Sequence, residues 1–132
     1  MLQSYNQILK YYRTHLYISW VLFIALLTLI PGKSIPDFID WNFLSLDKFI
    51  HFSLFFVLSF LGGNYFSKEG RQRSTQVVIS IVIAVLYGTI IEYIQTIIPQ
   101  RGFDYADLAA NTGGALAGGA YFIIRIKNSP TQ

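Results

Sequence analysis

Four apolar runs alternate with polar stretches along the chain, and each run is long enough to form a helix. The predicted helices cover roughly residues 12–31, 47–66, 76–98 and 104–126. The third would be about 33 Å long at about 1.5 Å per residue, which is enough to cross the hydrocarbon core of a bilayer. The pattern therefore predicts an all-α membrane protein, a four-transmembrane-helix bundle that forms a single domain over residues 1–132.

The first apolar run is the shortest, and a secretory signal peptide is the rival interpretation of it. The signal peptide is disfavoured because residues 29–33 offer no small-x-small cleavage site, and because the polar segment before the run is long. Aromatic residues can instead extend the run into the membrane interface. The connection that follows, residues 31–46, contains Pro31, Gly32 and Pro36 together with Trp41 and other apolar residues, so it is expected to lie along the interface.

Charged residues make up 13% of the chain, whereas a soluble domain normally carries about 25%. With both termini on one side, that side holds seven Lys and Arg residues and the other side holds three, which places both termini in the cytoplasm. The net charge of +3 is thus explained by topology, and no nucleic-acid binding is expected. The absence of cysteine excludes a disulfide framework and a thiolate metal site.

Polar residues within the helices gather toward the non-cytoplasmic side. They come from three segments: Asp47, Lys48 and His51; Glu92 and Gln95; and Arg101, Asp104, Asp107 and Asn111. Helical spacing brings Asp47 within reach of His51 and puts Glu92 and Gln95 on one face. It also puts Asp104, Asp107 and Asn111 on one face, with Arg101 in the turn before them. A lone carboxylate near the bilayer centre costs about 2.5–3.5 kcal/mol, so these groups are expected to face one another.

The charges in this group do not balance. The group contains four carboxylates and only two permanently charged cations, Lys48 and Arg101. These two cations and His51 are expected to face the carboxylates. Either one carboxyl group stays protonated, His51 is charged, or a cation enters.

Small residues on the fourth helix explain how such groups could come close. Ala110, Gly114 and Gly118 repeat at intervals of four, the spacing that lets membrane helices pack with their backbones nearly touching. Gly62-Gly63 and Gly88 are expected to serve the same purpose on the second and third helices.

Three pieces of the chain resemble the VanZ-like family of small bacterial integral membrane proteins. They are residues 47–52 (DKFIHF), 92–95 (EYIQ) and 101–114 (RGFDYADLAANTGG). The resemblance implies a multi-pass protein of the bacterial cytoplasmic (inner) membrane. It also implies a link to resistance against glycopeptides of the teicoplanin type, for which the family is named.

The polar group suggests a site for a lipid-linked or cell-envelope substrate in the outer leaflet. His51 would act as general acid/base or nucleophile, oriented by Asp47, with Glu92 as a second acid/base group. Arg101 and Lys48 would hold an anionic headgroup. Gln95 and Asp104 belong to the same candidate site, in which Asp104, Asp107 and Asn111 would position substrate or join His51 in a site for Mg²⁺ or Mn²⁺.

Two other functions compete with this one, and the sequence does not decide whether the protein is an enzyme. The first is a non-catalytic interaction or assembly subunit whose polar group is structural. The second is an oligomeric transporter, which is disfavoured because the cytoplasmic halves of the helices lack polar residues. No residue is assigned as a metal ligand, and the cofactor stays open between none and a divalent cation. The expected partners are the lipid bilayer and a lipid-linked envelope precursor.

Overall fold

A computed structural model of the chain describes residues 2–30, 44–66 and 72–127. These residues form four helices and contain no strand, which confirms the predicted all-helical class. The helices are α1 (Leu2–Thr28), α2 (Leu44–Tyr65), α3 (Arg73–Gln95) and α4 (Tyr105–Lys127). Most of the predicted interface segment, and the basic residues 67–71 before α3, lie outside the described residues.

The helix bounds differ from the predicted ones mainly at the start of α1. This helix begins at Leu2 rather than near residue 12, because its polar first turns contain no glycine or proline. Similarly, α3 runs from Arg73 to Gln95 rather than over 76–98. Hydropathy marks the apolar part of a helix, whereas backbone hydrogen bonding continues into polar flanks and stops where the chain turns.

Helix α2 lies at the centre and packs against each of the other three helices. It runs antiparallel to α1, since Tyr17 stacks on Tyr65 at a ring-centroid distance of 4.6 Å. It runs parallel to α4, because Phe52 lies beside Gly114 and Phe56 beside Gly118. One end of the bundle, called the site end below, therefore collects the C-termini of α1 and α3 and the N-termini of α2 and α4.

The closest approach between helices joins α2 to α4. A Cβ atom added to Gly114 would clash with the carbonyl oxygen of Phe52, and one added to Gly118 would clash with that of Phe56. The predicted small-residue packing of α4 is thus confirmed. Glycines on α2 and α3 also face neighbouring helices, as expected: Gly62 faces Ser80, Gly63 faces Phe122 and Gly88 faces Phe55.

Side-chain donors reach the main-chain carbonyls of neighbouring helices away from the site end. Trp20 Nε1 donates to Leu54 O at 3.0 Å, and Ser80 Oγ donates to Ser59 O at 2.6 Å. Ser59, Ser80 and Gln76 are buried in the half of the bundle that was expected to lack polar groups. All three are uncharged, so none of them needs an ion pair; Ser59 Oγ has no hydrogen-bond partner among the described residues.

Two of the described helices are long and apolar enough to span a membrane: Leu46–Tyr65 and Arg73–Gln95. In α4 the glycines that permit the close contact with α2 lower the mean hydropathy, as do Asp107 and Asn111. In α1 the polar residues of the first turns also lower the mean hydropathy of the helix.

Gly114→Ala should destabilise the protein, whereas Gly113→Ala should not. The new methyl group at position 114 meets the backbone of α2, while the one at position 113 makes an ordinary contact of 3.6 Å with the Phe52 ring. Overpacking of this kind costs about 1–3 kcal/mol, and alanine favours a helix by about 1 kcal/mol over glycine. Unfolding of both variants in detergent measures the difference; equal stability would contradict the described α2–α4 contact.

Candidate functional site

Lys48 holds three carboxylates at the site end. Its Nζ donates to Asp104 Oδ2 at 2.7 Å, to Asp47 Oδ2 at 3.3 Å and to Asp107 Oδ1. Asp47 lies in the first turn of α2 rather than at its start, because the helix begins at Leu44. The Lys48 ammonium thus ties the beginning of α2 to the beginning of α4.

Asp104 connects α3, α4 and Lys48. Its Oδ1 accepts a hydrogen bond of 2.7 Å from the backbone N of Ala106, so it caps the N-terminus of α4. Its own backbone N donates to Glu92 Oε2 at 3.1 Å. The hydrogen bond from Lys48 is the main cause of the lowered pKa of the Asp104 carboxyl group, and the hydrogen bond from Ala106 acts in the same direction.

His51 is buried between α2 and α4, with 4% of its surface exposed. Its Nδ1 lies 3.0 Å from Asn111 Oδ1. Its Nε2 lies 3.9 Å from Asp47 Oδ1 and 3.9 Å from Asp107 Oδ2. The ring therefore points one nitrogen at an amide and the other at two carboxylates.

Glu92 and Asn111 are fully buried at 0% exposure. One polar atom of each, Glu92 Oε1 and Asn111 Nδ2, has no hydrogen-bond partner among the described residues. Leaving a buried polar atom unpaired costs about 1–3 kcal/mol. Such cost is typical of sites where a ligand, ion or water supplies the missing partner.

Gln95 and Arg101 turn toward α1 instead of toward the carboxylates. Gln95 Nε2 donates to Thr28 O at 2.8 Å, and Arg101 Nε approaches Ile30 O at 3.4 Å. Among the described residues Arg101 makes no ion pair, so the expectation that it opposes the carboxylates is wrong for this part of the chain. The reason is that the exposed carbonyls at the end of α1 compete for both donors.

A cavity of about 240 Å³ opens between α1, α2 and Arg101. Its lining joins polar and apolar side chains: Leu27, Thr28, Ile30, Asp47, Ile50, His51, Leu54 and Arg101. The contribution of α1 was not predicted, because this helix carries no charged residue near its C-terminus. The antiparallel arrangement of α1 and α2, which brings the C-terminus of α1 to the site end, could have indicated this contribution of α1 to the cavity.

Comparison with protein families matches residues 2–126 to the family described as VanZ/LLP1. The chain belongs to the VanZ/LLP1 family. No curated protein and no solved structure matches the chain.

The match of this VanZ/LLP1 protein extends over all four described helices. Each of the three pieces that carry the resemblance supplies contacts around Lys48 and His51. The first supplies Asp47, Lys48 and His51, the second Glu92, and the third Asp104, Asp107 and Asn111. The motif residues of the VanZ/LLP1 chain are therefore neighbours in space as well as in sequence pattern.

Asp104→Asn should make the protein less stable near neutral pH but not in acid. Asn keeps the helix cap but loses the charge that pairs with Lys48. Because the folded-state pKa is lowered from the usual 3.8, the pair contributes fully above that value and is lost as pH falls through the lowered pKa. The side chain is half exposed, so the difference should be about 0–1 kcal/mol.

Denaturant unfolding of wild type and Asp104→Asn across pH measures this difference. Near neutral pH the free energy of unfolding of the wild type should exceed that of the variant by a constant amount. This difference should disappear as the pH falls below the usual pKa of 3.8. An advantage that is independent of pH would show that the Asp104 charge does not stabilise the fold.

Proposed function

We propose that this VanZ/LLP1 protein is a four-span protein of the bacterial cytoplasmic membrane. In this proposal both termini are cytoplasmic and the site end lies at the outer face, where it binds a lipid-linked envelope substrate through an anionic headgroup. The observation that carries the headgroup proposal is the cavity of about 240 Å³ whose lining combines Arg101 and His51 with aliphatic side chains.

The distribution of polarity across the bundle supports insertion in a membrane. Large apolar side chains cover the outside; Ile97 is 80% exposed and Leu26 is 68% exposed. The interior combines an apolar core with polar and charged side chains, of which Glu92 and Asn111 are fully buried. Exposed apolar area of this extent is rare in a soluble protein, and it suits a lipid surrounding.

The positions of the basic residues support the orientation. The site end holds Lys48 and Arg101 among the described residues, and Lys48 is already paired with carboxylates. The opposite end holds more: Lys10, Arg13, Arg73, Arg125 and Lys127. An excess of Lys and Arg marks the cytoplasmic side.

A single cysteine at position 102 should be accessible from outside intact cells. The chain has no cysteine of its own, and a Cβ added to Gly102 meets no heavy atom within 4 Å. A membrane-impermeant maleimide should therefore label Gly102→Cys in intact cells and label Lys127→Cys, at the far end of α4, only after permeabilisation. Labelling of both variants in intact cells, or the reverse pattern, would contradict the orientation.

The cavity lining suits an amphiphilic ligand. Leu27, Ile50 and Leu54 offer an aliphatic wall for the first carbons of a lipid chain. Arg101 uses its Nε toward Ile30 O, and a guanidinium has further N–H donors that match a phosphate. His51 lines the same cavity and adds a polar group to the aliphatic wall. An envelope substrate also agrees with the glycopeptide resistance for which the family is named.

The two competing functions are less well supported by the described residues. Gly114 and Gly118 already pack against α2, so this small-residue face is not available to a partner subunit. The buried carboxyl and imidazole side chains of the described bundle belong to His51, Glu92 and Asp107, all toward the site end. A transporter needs such groups through the whole thickness of the membrane.

Arg101→Gln should weaken binding of a polyprenyl phosphate to the purified protein about tenfold to hundredfold. The loss follows because a hydrogen bond to a charged group contributes about 1.5–3 kcal/mol. Arg125→Gln is the matched control, since Arg125 lies at the opposite end over the Phe60 ring. Binding is measured in detergent micelles, with the neutral polyprenol as the control ligand.

Two outcomes of this measurement would contradict the proposal. One is equal affinity of the two arginine variants for the polyprenyl phosphate. The other is equal affinity of the wild type for the phosphate and the neutral alcohol, which would support a non-catalytic assembly role instead.

A further inference from the structure

Three atoms that can each supply a lone pair converge beside the Lys48 ammonium. They are Asp47 Oδ1, Asp107 Oδ2 and His51 Nε2, and the nitrogen lies 3.9 Å from each oxygen. One ligand atom from each of these residues lies within 4.8 Å of the others. A separation of 3.9 Å is too long for a hydrogen bond, so a proton on Nε2 would not bridge the gap.

The two carboxylates each present one oxygen to Lys48 and the other to His51. Lys48 contacts Asp47 Oδ2 and Asp107 Oδ1, which leaves Asp47 Oδ1 and Asp107 Oδ2 facing the imidazole. Lys48 therefore fixes the orientation of both carboxylates through the oxygens that do not face the imidazole.

Asn111 fixes the orientation of the imidazole. When Nδ1–H donates to Asn111 Oδ1, the neutral ring carries its lone pair on Nε2, toward the two carboxylates. Histidines that bind metals usually donate their other ring N–H to such an acceptor, which sets the tautomer and the ring orientation. The buried Asn111 thus supplies the support that a histidine ligand requires.

The carboxylates around Lys48 outnumber its single positive charge. Asp47, Asp104 and Asp107 all contact the Lys48 ammonium. With these three carboxylates ionised, the group carries two net negative charges, which one divalent cation would neutralise.

The space among the three atoms has nearly the size of a metal coordination site. A point equidistant from three atoms that are 3.9 to 4.8 Å apart lies roughly 2.3–2.5 Å from each, against about 2.0–2.2 Å for Zn²⁺ bound by nitrogen and oxygen. A movement of a few tenths of an ångström by each side chain closes the difference.

We propose that Asp47, His51 and Asp107 bind one divalent transition-metal ion, of the Zn²⁺ or Mn²⁺ class. The imidazole ligand favours these ions over Mg²⁺ and Ca²⁺, which prefer oxygen ligands. Three protein ligands leave at least one coordination position open for water or for a phosphoryl oxygen. The ion's role toward a headgroup rests on the proposed function, whereas the binding of the ion does not.

The test is metal binding by the purified full-length chain in detergent, after removal of metal with a chelator and without added lipid. Isothermal titration with ZnCl₂ and MnCl₂, and metal analysis after dialysis, should give one ion per chain. Asp47→Asn and His51→Leu should weaken binding at least a hundredfold. Asn111→Leu should weaken it about tenfold to hundredfold, because it removes only the support of His51.

His15→Leu is the matched control, since the chain has two histidines and His15 is exposed on α1 against Tyr11. It should bind metal as the wild type does.

Asp47 is partly exposed, so Asp47→Asn should fold even if His51→Leu does not. Size-exclusion chromatography and circular dichroism check that the variants are folded. Folded Asp47→Asn that keeps wild-type affinity would overturn the proposal, as would a wild type that binds neither ion stoichiometrically. A wild-type protein that binds the metal ion but does not bind polyprenyl phosphate would overturn the proposed function and leave the metal site unaffected.

Discussion

The contact between the glycine face of α4 and the backbone of α2 determines the positions of the polar side chains. Because Gly114 and Gly118 have no side chain, α4 lies against the carbonyl oxygens of Phe52 and Phe56. This short separation brings Lys48 within reach of Asp104 and Asp107. Wider spacing of the two helices would leave these partly buried charges unpaired, and a buried unpaired charge is costly.

Burial and charge pairing act together in the site. Lys48 neutralises part of the negative charge, while the buried Glu92 and Asn111 each keep an unpartnered polar atom. A group of residues that served only to fix the fold would gain by satisfying those atoms. Their retention among the residues that contact His51 and Asp104 is more typical of a site that meets a ligand.

Periodicity and composition predicted the helices, and spacing predicted which polar residues share a face. Asp104, Asp107 and Asn111 do face α2, because their spacing depends only on helix geometry. Spacing could not show that Gln95 and Arg101 turn toward α1, since that depends on which carbonyls a neighbouring helix leaves free. The sequence could not predict the cavity either, because the cavity depends on how the ends of three segments pack together.

The regular interval of the small residues on α4 has a consequence for helix register. Gly114 and Gly118 are one turn apart, and a slide of α2 by one turn, about 5.4 Å, would bring Ala110 or Phe122 to the position of one of them. In either direction a side chain would meet a carbonyl oxygen of α2, so the close backbone fit disfavours both neighbouring alignments. The hydrogen bond between His51 and Asn111 and the ion pairs of Lys48 also exist only in the observed alignment. The glycines and the polar groups therefore select the same register of the two helices.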